Sequence, residues 1–309
     1  MKKKNLAGTK ITVSELCLGT ANFGTTCSKE NAFAQMDAFT ELGGNFLDTA
    51  VVYGAWGGSV CASEKTIGEW FVKTGKRNQI VLSTKGCHPI FNQMDVPRVG
   101  AFYIKEDLEC SLQNLQTEYI DLYFLHRDNP QVPVEEILET LEEQVKKGTI
   151  RYYGCSNWSL ARIQAAQEYA KEHGLQGFSC NQVMYSLAKV NPQTMGDMVV
   201  MDEEMLQYHK DTQMNLMSFM CQAGGYFQKR ITGEKISKEY AAMYQNAENE
   251  RILERMHKHL TLYAPNAWML QYVTKSSFPA VPIGGFRNVK QLREAVLGLQ
   301  KEIPEELLF

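Results

Sequence analysis

The chain has 309 residues, 44% hydrophobic and 22% charged, with a formal net charge of −3, an ordinary globular composition. That balance leaves no basic footprint for nucleic acid or an anionic membrane, and no apolar run reaches the ~18 residues of a membrane span. Met1-Lys2-Lys3-Lys4 leads into polar residues, which predicts no secretory signal; eight cysteines with no C-x-x-C pair predict reduced thiols in a cytoplasmic protein and no metal site.

In chain order, Leu6 to Lys10 reads as a hairpin able to plug a barrel floor, and Leu16 to Gly19 as a first strand. A helix over 29–42 starts at a Ser28 cap and stops at Gly43-Gly44. Asn45 to Leu47 is the second strand, followed by a helix over 63–73. Ile80 to Lys85 is the third strand, with a Pro-containing loop to Gly100 and a helix over 104–116. The fourth strand ends at His126; a helix over 134–147 follows. Ile150 to Cys155 and Phe178 to Asn181 are the fifth and sixth strands, separated by a helix over 159–173. A helix over 198–210, a strand over 216–219 and an irregular loop over 220–246 come next. Helices over 249–262 and 265–276, a strand over 280–283 and a helix over 289–299 complete the chain. Strand and helix alternate eight times. This predicts a closed α/β barrel, the (β/α)8 TIM barrel, as one domain over 1–309, with an N-terminal hairpin and long loops at its C-terminal face. A doubly wound sheet fits less well, because the turn Gly19-Thr20-Ala21-Asn22-Phe23-Gly24 is not G-x-G-x-x-G.

Chemistry gathers at the strand ends. Asp48 closes the second strand, Tyr53 follows on its loop, Lys85 closes the third and His126 the fourth. In a barrel these ends open onto one face. A phenol has a pKa near 10, and an adjacent ammonium lowers it, so Lys85 is expected to activate Tyr53. Asp48 would hold Lys85, and His126 would orient a carbonyl oxygen. Such a set delivers a proton to an oxygen gaining charge. None of the four can supply an electron pair to the carbonyl carbon, which implies a cofactor. Read singly, each residue has a structural explanation: a cap, a salt bridge, packing, a core histidine.

Asp48, Tyr53, Lys85 and His126, in this order and with their flanks, resemble the catalytic tetrad of the aldo-keto reductase superfamily. Leu18-Gly19-Thr20, Gly148-Thr149-Ile150-Arg151, Gly154-Cys155-Ser156-Asn157 and Gln182 extend the likeness over nearly the whole chain. The resemblance implies reduction of an aldehyde or ketone with NADP(H), NAD(H) being the alternative cofactor. It places Ser156, Asn157 and Gln182 on the nicotinamide carboxamide and Phe219 against its ring. It places Gly285, Phe286, Arg287, Gln291 and Glu294 at the adenosine end, where Arg287 would meet a 2′-phosphate. Departures are Met220-Cys221-Gln222, where Ser, Pro and Leu are common, and Gln291 and Ala295, where arginine and asparagine are common. Asn22, Trp56, His88 and Trp158, with Phe23 and Cys87, are candidates to line a pocket for a small carbonyl compound, a sugar or sugar derivative among them. Gly57-Gly58-Ser59 suggests mobility beside Tyr53. Two rival functions are a nucleotide-sensing subunit similar to potassium-channel β subunits and a Schiff-base or metal-dependent enzyme using Lys85.

Overall fold

The apolar runs of the sequence become parallel strands because each is too short for a helix and most are flanked by Gly or Pro. The computed structural model describes residues 1–194 and 196–308. Its elements are β1 (Lys3–Asn5), β2 (Thr12–Ser14), β3 (Cys17–Gly19), α1 (Lys29–Glu41), β4 (Phe46–Asp48), α2 (Ala62–Thr74), β5 (Val81–Gly86), α3 (Ala101–Leu115), β6 (Ile120–Leu125), α4 (Val134–Lys147), β7 (Ile150–Ser156) and α5 (Leu160–His173). There follow β8 (Cys180–Met184), α6 (Glu203–Thr212), β9 (Asn215–Phe219), α7 (Tyr226–Thr232), α8 (Lys238–Tyr244), α9 (Ala247–His257), α10 (Pro265–Thr274), β10 (Ala280–Gly284), α11 (Val289–Gln300) and α12 (Glu305–Leu308). Strands β3 to β10 close into an eight-stranded barrel, all pairs parallel, with Ile283 of β10 facing Cys17 of β3 at the seam. The (β/α)8 expectation therefore holds.

The N-terminal hairpin is present as well. β1 and β2 pair antiparallel, and Leu6, Ile11 and Val13 pack on Phe46, Leu122, Phe124, Met217 and Val281. Asn215 locks it from the barrel side, accepting from Ala7 N at 2.8 Å and donating to Ala7 O at 2.9 Å. One end of the barrel is thus sealed with apolar side chains, each worth about 1.5–3 kcal/mol when fully buried. Polar strand ends are left to the opposite mouth.

Most boundaries shift by one to three residues, and four differences from the sequence reading have a structural reason. The sixth barrel strand is β8, Cys180–Met184, not 178–181. Its polar Asn181 and Gln182 interrupt the apolar run, but Gln182 and Met184 pair with Met217 and Phe219 of β9. Phe178 instead sets its ring against Trp158, centroids 5.0 Å apart. The helix expected from 198 begins at Glu203, because Met184 and Val200 form a bridge and Asp202 caps by accepting from Met205 N. The segment expected to be an irregular loop over 220–246 contains α7 and α8, pinned by buried Tyr226, Phe227 and Tyr244. The helix expected to run to 262 stops at His257.

Helix α2 packs on α3 with no room to spare at Gly68, where an added Cβ would meet Asn114 O at 2.2 Å and Leu115 C at 2.9 Å. Alanine normally stabilises a helix interior relative to glycine by about 1 kcal/mol. Gly68→Ala is expected to reverse that sign and destabilise by about 1–3 kcal/mol through overpacking. Urea unfolding of wild type and variant measures it.

Candidate active site

The polar mouth is built by strand register. Asp48, the last residue of β4, lies opposite Gly19 on one side and Ser83 on the other. Lys85 stands two residues further along β5, and His126 follows β6 directly. Tyr53 returns to this cluster because the chain turns back at Gly54, whose φ of 105° requires glycine; a Cβ there would lie 2.2 Å from Ser59 O.

Lys85 is wholly enclosed, and its Nζ donates three hydrogen bonds: to Asp48 Oδ2 at 2.7 Å, Thr49 O at 2.6 Å and Tyr53 Oη at 3.1 Å. An ammonium has three donors, so all are used. Asp48 Oδ1 accepts in turn from Ser83 Oγ at 2.8 Å and Gln182 Nε2 at 3.1 Å. Burial alone would lower the Lys85 pKa, but Asp48 and Tyr53 outweigh it and hold the lysine above its ordinary value. For Tyr53 the balance differs from the sequence expectation. Burial raises the phenol above its usual range, and the opposing pull of Lys85 does not overcome it. Tyr53 keeps its proton, and because Lys85 donates to its oxygen, that proton is free to point elsewhere.

His126 lies edge-on to Tyr53 with centroids 6.0 Å apart. Burial above all, then the His88 ring alongside and the Lys85 and Arg127 charges, drives its pKa well below the ordinary value, so the ring is neutral. Its Nδ1 is buried with no hydrogen-bond partner among the described residues. An unpaired buried N–H is costlier and rarer than an unpaired acceptor, which favours the tautomer with its proton on Nε2.

The other expected residues divide. Ser156 at the end of β7, Asn157 just after it and Gln182 on β8 come together and bond to one another: Ser156 Oγ donates to Gln182 O at 2.8 Å and Asn157 Nδ2 to Ser156 Oγ at 3.0 Å. Phe219 is half-buried at the end of β9. Phe286 shields Gly284, while Gly285 faces open space. Gln291 is engaged in capping α11, where it accepts from Arg287 N at 3.0 Å. Arg287 is exposed, and its guanidinium makes no ion pair or hydrogen bond among the described residues. Glu294 faces outward near Lys290. Asn22 and Trp56 are exposed, Trp56 lying 5.8 Å from the Tyr53 ring. His88 is half-buried, 4.8 Å from His126. Trp158 does not line an opening: it is fully buried and donates to Arg127 O at 3.2 Å. Phe23 and Cys87 are buried too. Sequence reasoning missed Thr49, Ser83 and Arg127. The first two support Lys85 and Asp48, and Arg127 bonds Asp197 at 2.6 Å across the mouth. Their only signal was adjacency to the strand-end residues.

Neutral, buried His126 has a consequence for stability. Its folded pKa lies below the unfolded value near 6.5, so between the two the unfolded chain binds more protons. Stability is fully present above about pH 6.5 and falls as pH drops below it. Urea midpoints between about pH 5 and 8 should show this slope. His126→Gln should flatten it in part, since His88 and His209 are shifted the same way.

Comparison with known proteins identifies the family. The chain is 31% identical to an uncharacterized oxidoreductase, YrpG, of Bacillus subtilis (strain 168), over 100% of this chain and 94% of that one. It is 30% identical to norsolorinic acid reductase B of Dothistroma septosporum, over 99% of this chain and 79% of that one. Among solved structures, the holo form of aldo-keto reductase AKR11C1 from Bacillus halodurans superposes with a TM-score of 0.75 at 26% identity, covering 100% of this chain and 94% of that chain. With residues 15–307 matching the profile of the Aldo/keto reductase family, the chain belongs to that family and is an NAD(P)H-dependent oxidoreductase.

Proposed function

We propose that the protein, working as one unit over residues 1–309, uses NADP(H) to reduce the carbonyl of an aldehyde or ketone, a sugar or sugar derivative among them, with Tyr53 as the general acid. The observation that carries this reading is the direction of the Lys85–Tyr53 hydrogen bond. The ammonium donates to the phenol oxygen at 3.1 Å, so the phenol's own proton faces away, available to an incoming oxygen. As charge develops on that oxygen, Tyr53 gives up its proton and Lys85 stabilises the phenolate left behind. Asp48 keeps Lys85 charged and in place, and His126 donates from Nε2 to the same carbonyl oxygen. The nicotinamide supplies the hydride.

Residues present suit such a cofactor. Gln182 Oε1 accepts no hydrogen bond among the described residues, which leaves it for the amide N–H of a carboxamide; Ser156 and Asn157 hold it in place. Phe219 offers a ring face at the end of β9. Gly285 leaves open space beside Phe286 and the first turn of α11, where backbone N–H groups favour an anion. The unpaired guanidinium of Arg287 favours a 2′-phosphate, hence NADP(H) over NAD(H). Gln291 and Glu294 act there through the cap and the helix surface. Asn22, Trp56 and His88 face the substrate. A Schiff base on Lys85 is disfavoured, since an ammonium held by three acceptors is not a nucleophile.

Tryptophan fluorescence quenching tests the cofactor. NADPH should bind more tightly than NADH, and Arg287→Ala should weaken NADPH roughly tenfold or more while sparing NADH. Tyr53→Phe should lower kcat for aldehyde reduction by about 10²–10⁴ with NADPH binding kept. Full activity in Tyr53→Phe would overturn the reading.

A further inference from the structure

We propose that His88 and His126 together select carbonyl substrates carrying a hydroxyl on the adjacent carbon, His88 accepting a hydrogen bond from that hydroxyl. The proposal rests on the carbonyl-reduction reading and adds a substrate class to it.

The two imidazoles lie side by side, centroids 4.8 Å apart at 65°. No hydrogen bond joins them, so neither satisfies the other. His88 Nδ1 is 2.7 Å from the Pro89 carbonyl. A carbonyl can only accept, so the proton of His88 is on Nδ1 and Nε2 carries the lone pair. The ring stays neutral because burial and the nearby Arg127 and Arg98 charges resist a second proton, against the pull of the Pro89 contact and Asp197. Arg127 does not occupy the lone pair, for it is committed to Asp197 and to His126 O. His88 Nε2 accepts no hydrogen bond among the described residues.

His126 presents the opposite polarity. With Nδ1 buried and unpartnered, its proton sits on Nε2. One ring is therefore a donor, edge-on to the Tyr53 phenol, and its neighbour, packed against it, an acceptor. A simple aldehyde answers only the donor and leaves the His88 lone pair facing an apolar group. An α-hydroxy carbonyl answers both: its carbonyl oxygen accepts from His126 and Tyr53, and its hydroxyl, one carbon over, donates to His88. A site built to hydrogen-bond a substrate hydroxyl discriminates against the analogue that lacks it. A cationic α-amino group would also donate, but Lys85 and Arg127 oppose it with like charge.

The test compares 2-hydroxypropanal with propanal, which differ by that hydroxyl, as the ratio of their kcat/KM values with NADPH. Comparing the ratio between wild type and variants cancels the intrinsic reactivity of each aldehyde. His88→Phe should lower the ratio roughly tenfold, chiefly by raising KM for 2-hydroxypropanal. His88→Asn, whose side-chain oxygen still accepts, should restore part of it. A ratio unchanged in His88→Phe, or equally low in both variants, overturns the role of His88 while turnover of propanal leaves the reductase reading standing. Failure of the wild type to reduce either aldehyde overturns both.

Discussion

An ammonium buried without water must be fully paired, and at Lys85 that requirement organises the barrel mouth. An unpaired buried charge costs several kcal/mol, so each of its three protons needs an acceptor. Those acceptors come from the end of β4 (Asp48), the residue after it (Thr49) and the returning loop (Tyr53). Asp48 then needs partners for its second oxygen, and it finds them in Ser83 on β5 and Gln182 on β8, across the barrel. One lysine thus ties together elements spread over 134 residues of sequence. A closed barrel suits this task, because parallel strands bring all their C-terminal ends to one rim whatever their separation along the chain.

Burial does two different things to the groups around that lysine. It raises Tyr53 and lowers His126, which in both cases removes charge. Of these three groups only Lys85 stays charged, because its ion pair with Asp48 and its contact with Tyr53 compensate for its burial. The site is therefore poised with one fixed cation and two neutral groups that each hold one proton. A reaction that develops negative charge on an oxygen would find donors already in place.

Much of this was legible in the sequence and the rest was hidden for identifiable reasons. Asp48, Lys85 and His126 could be found because each terminates or follows an apolar run, and a barrel turns that position into a shared face. The hairpin plug was visible as apolar residues around a Gly turn. β8 was misplaced because Asn181 and Gln182 are polar yet lie inside the strand, bonded within the barrel mouth and its wall. α7 and α8 were missed because seven-residue helices bounded by Gly and Ser have too few turns to show a period. Trp158 looked like a pocket residue from its place after Asn157, but the left-handed backbone at Asn157, φ 59°, sends the chain inward and buries the indole. The sign of the Tyr53 shift was also out of reach, since it depends on how deeply the phenol is enclosed.

The loop that carries Tyr53 divides rigidity from freedom. Its base is closed by Tyr53 N to Ala50 O at 3.1 Å and Cys61 N to Val51 O at 3.0 Å, and Gly54 admits no other residue without collision. Its outer part, Trp56 to Val60, is exposed, and Gly58 meets nothing within 4 Å of an added Cβ. Gly57 and Gly58, which the sequence suggested as a flexible stretch, are bonded back to Gly54 and Ala55. Changes at the tip can therefore alter what approaches Tyr53 without disturbing the hydrogen bond that aims its proton. The same division holds on the facing side, where His126 is enclosed and His88, two residues past β5, is half-open. In the proposed mechanism, proton delivery then rests on groups held by the Lys85 network, which tolerate little change, and substrate choice on the more open groups beside them.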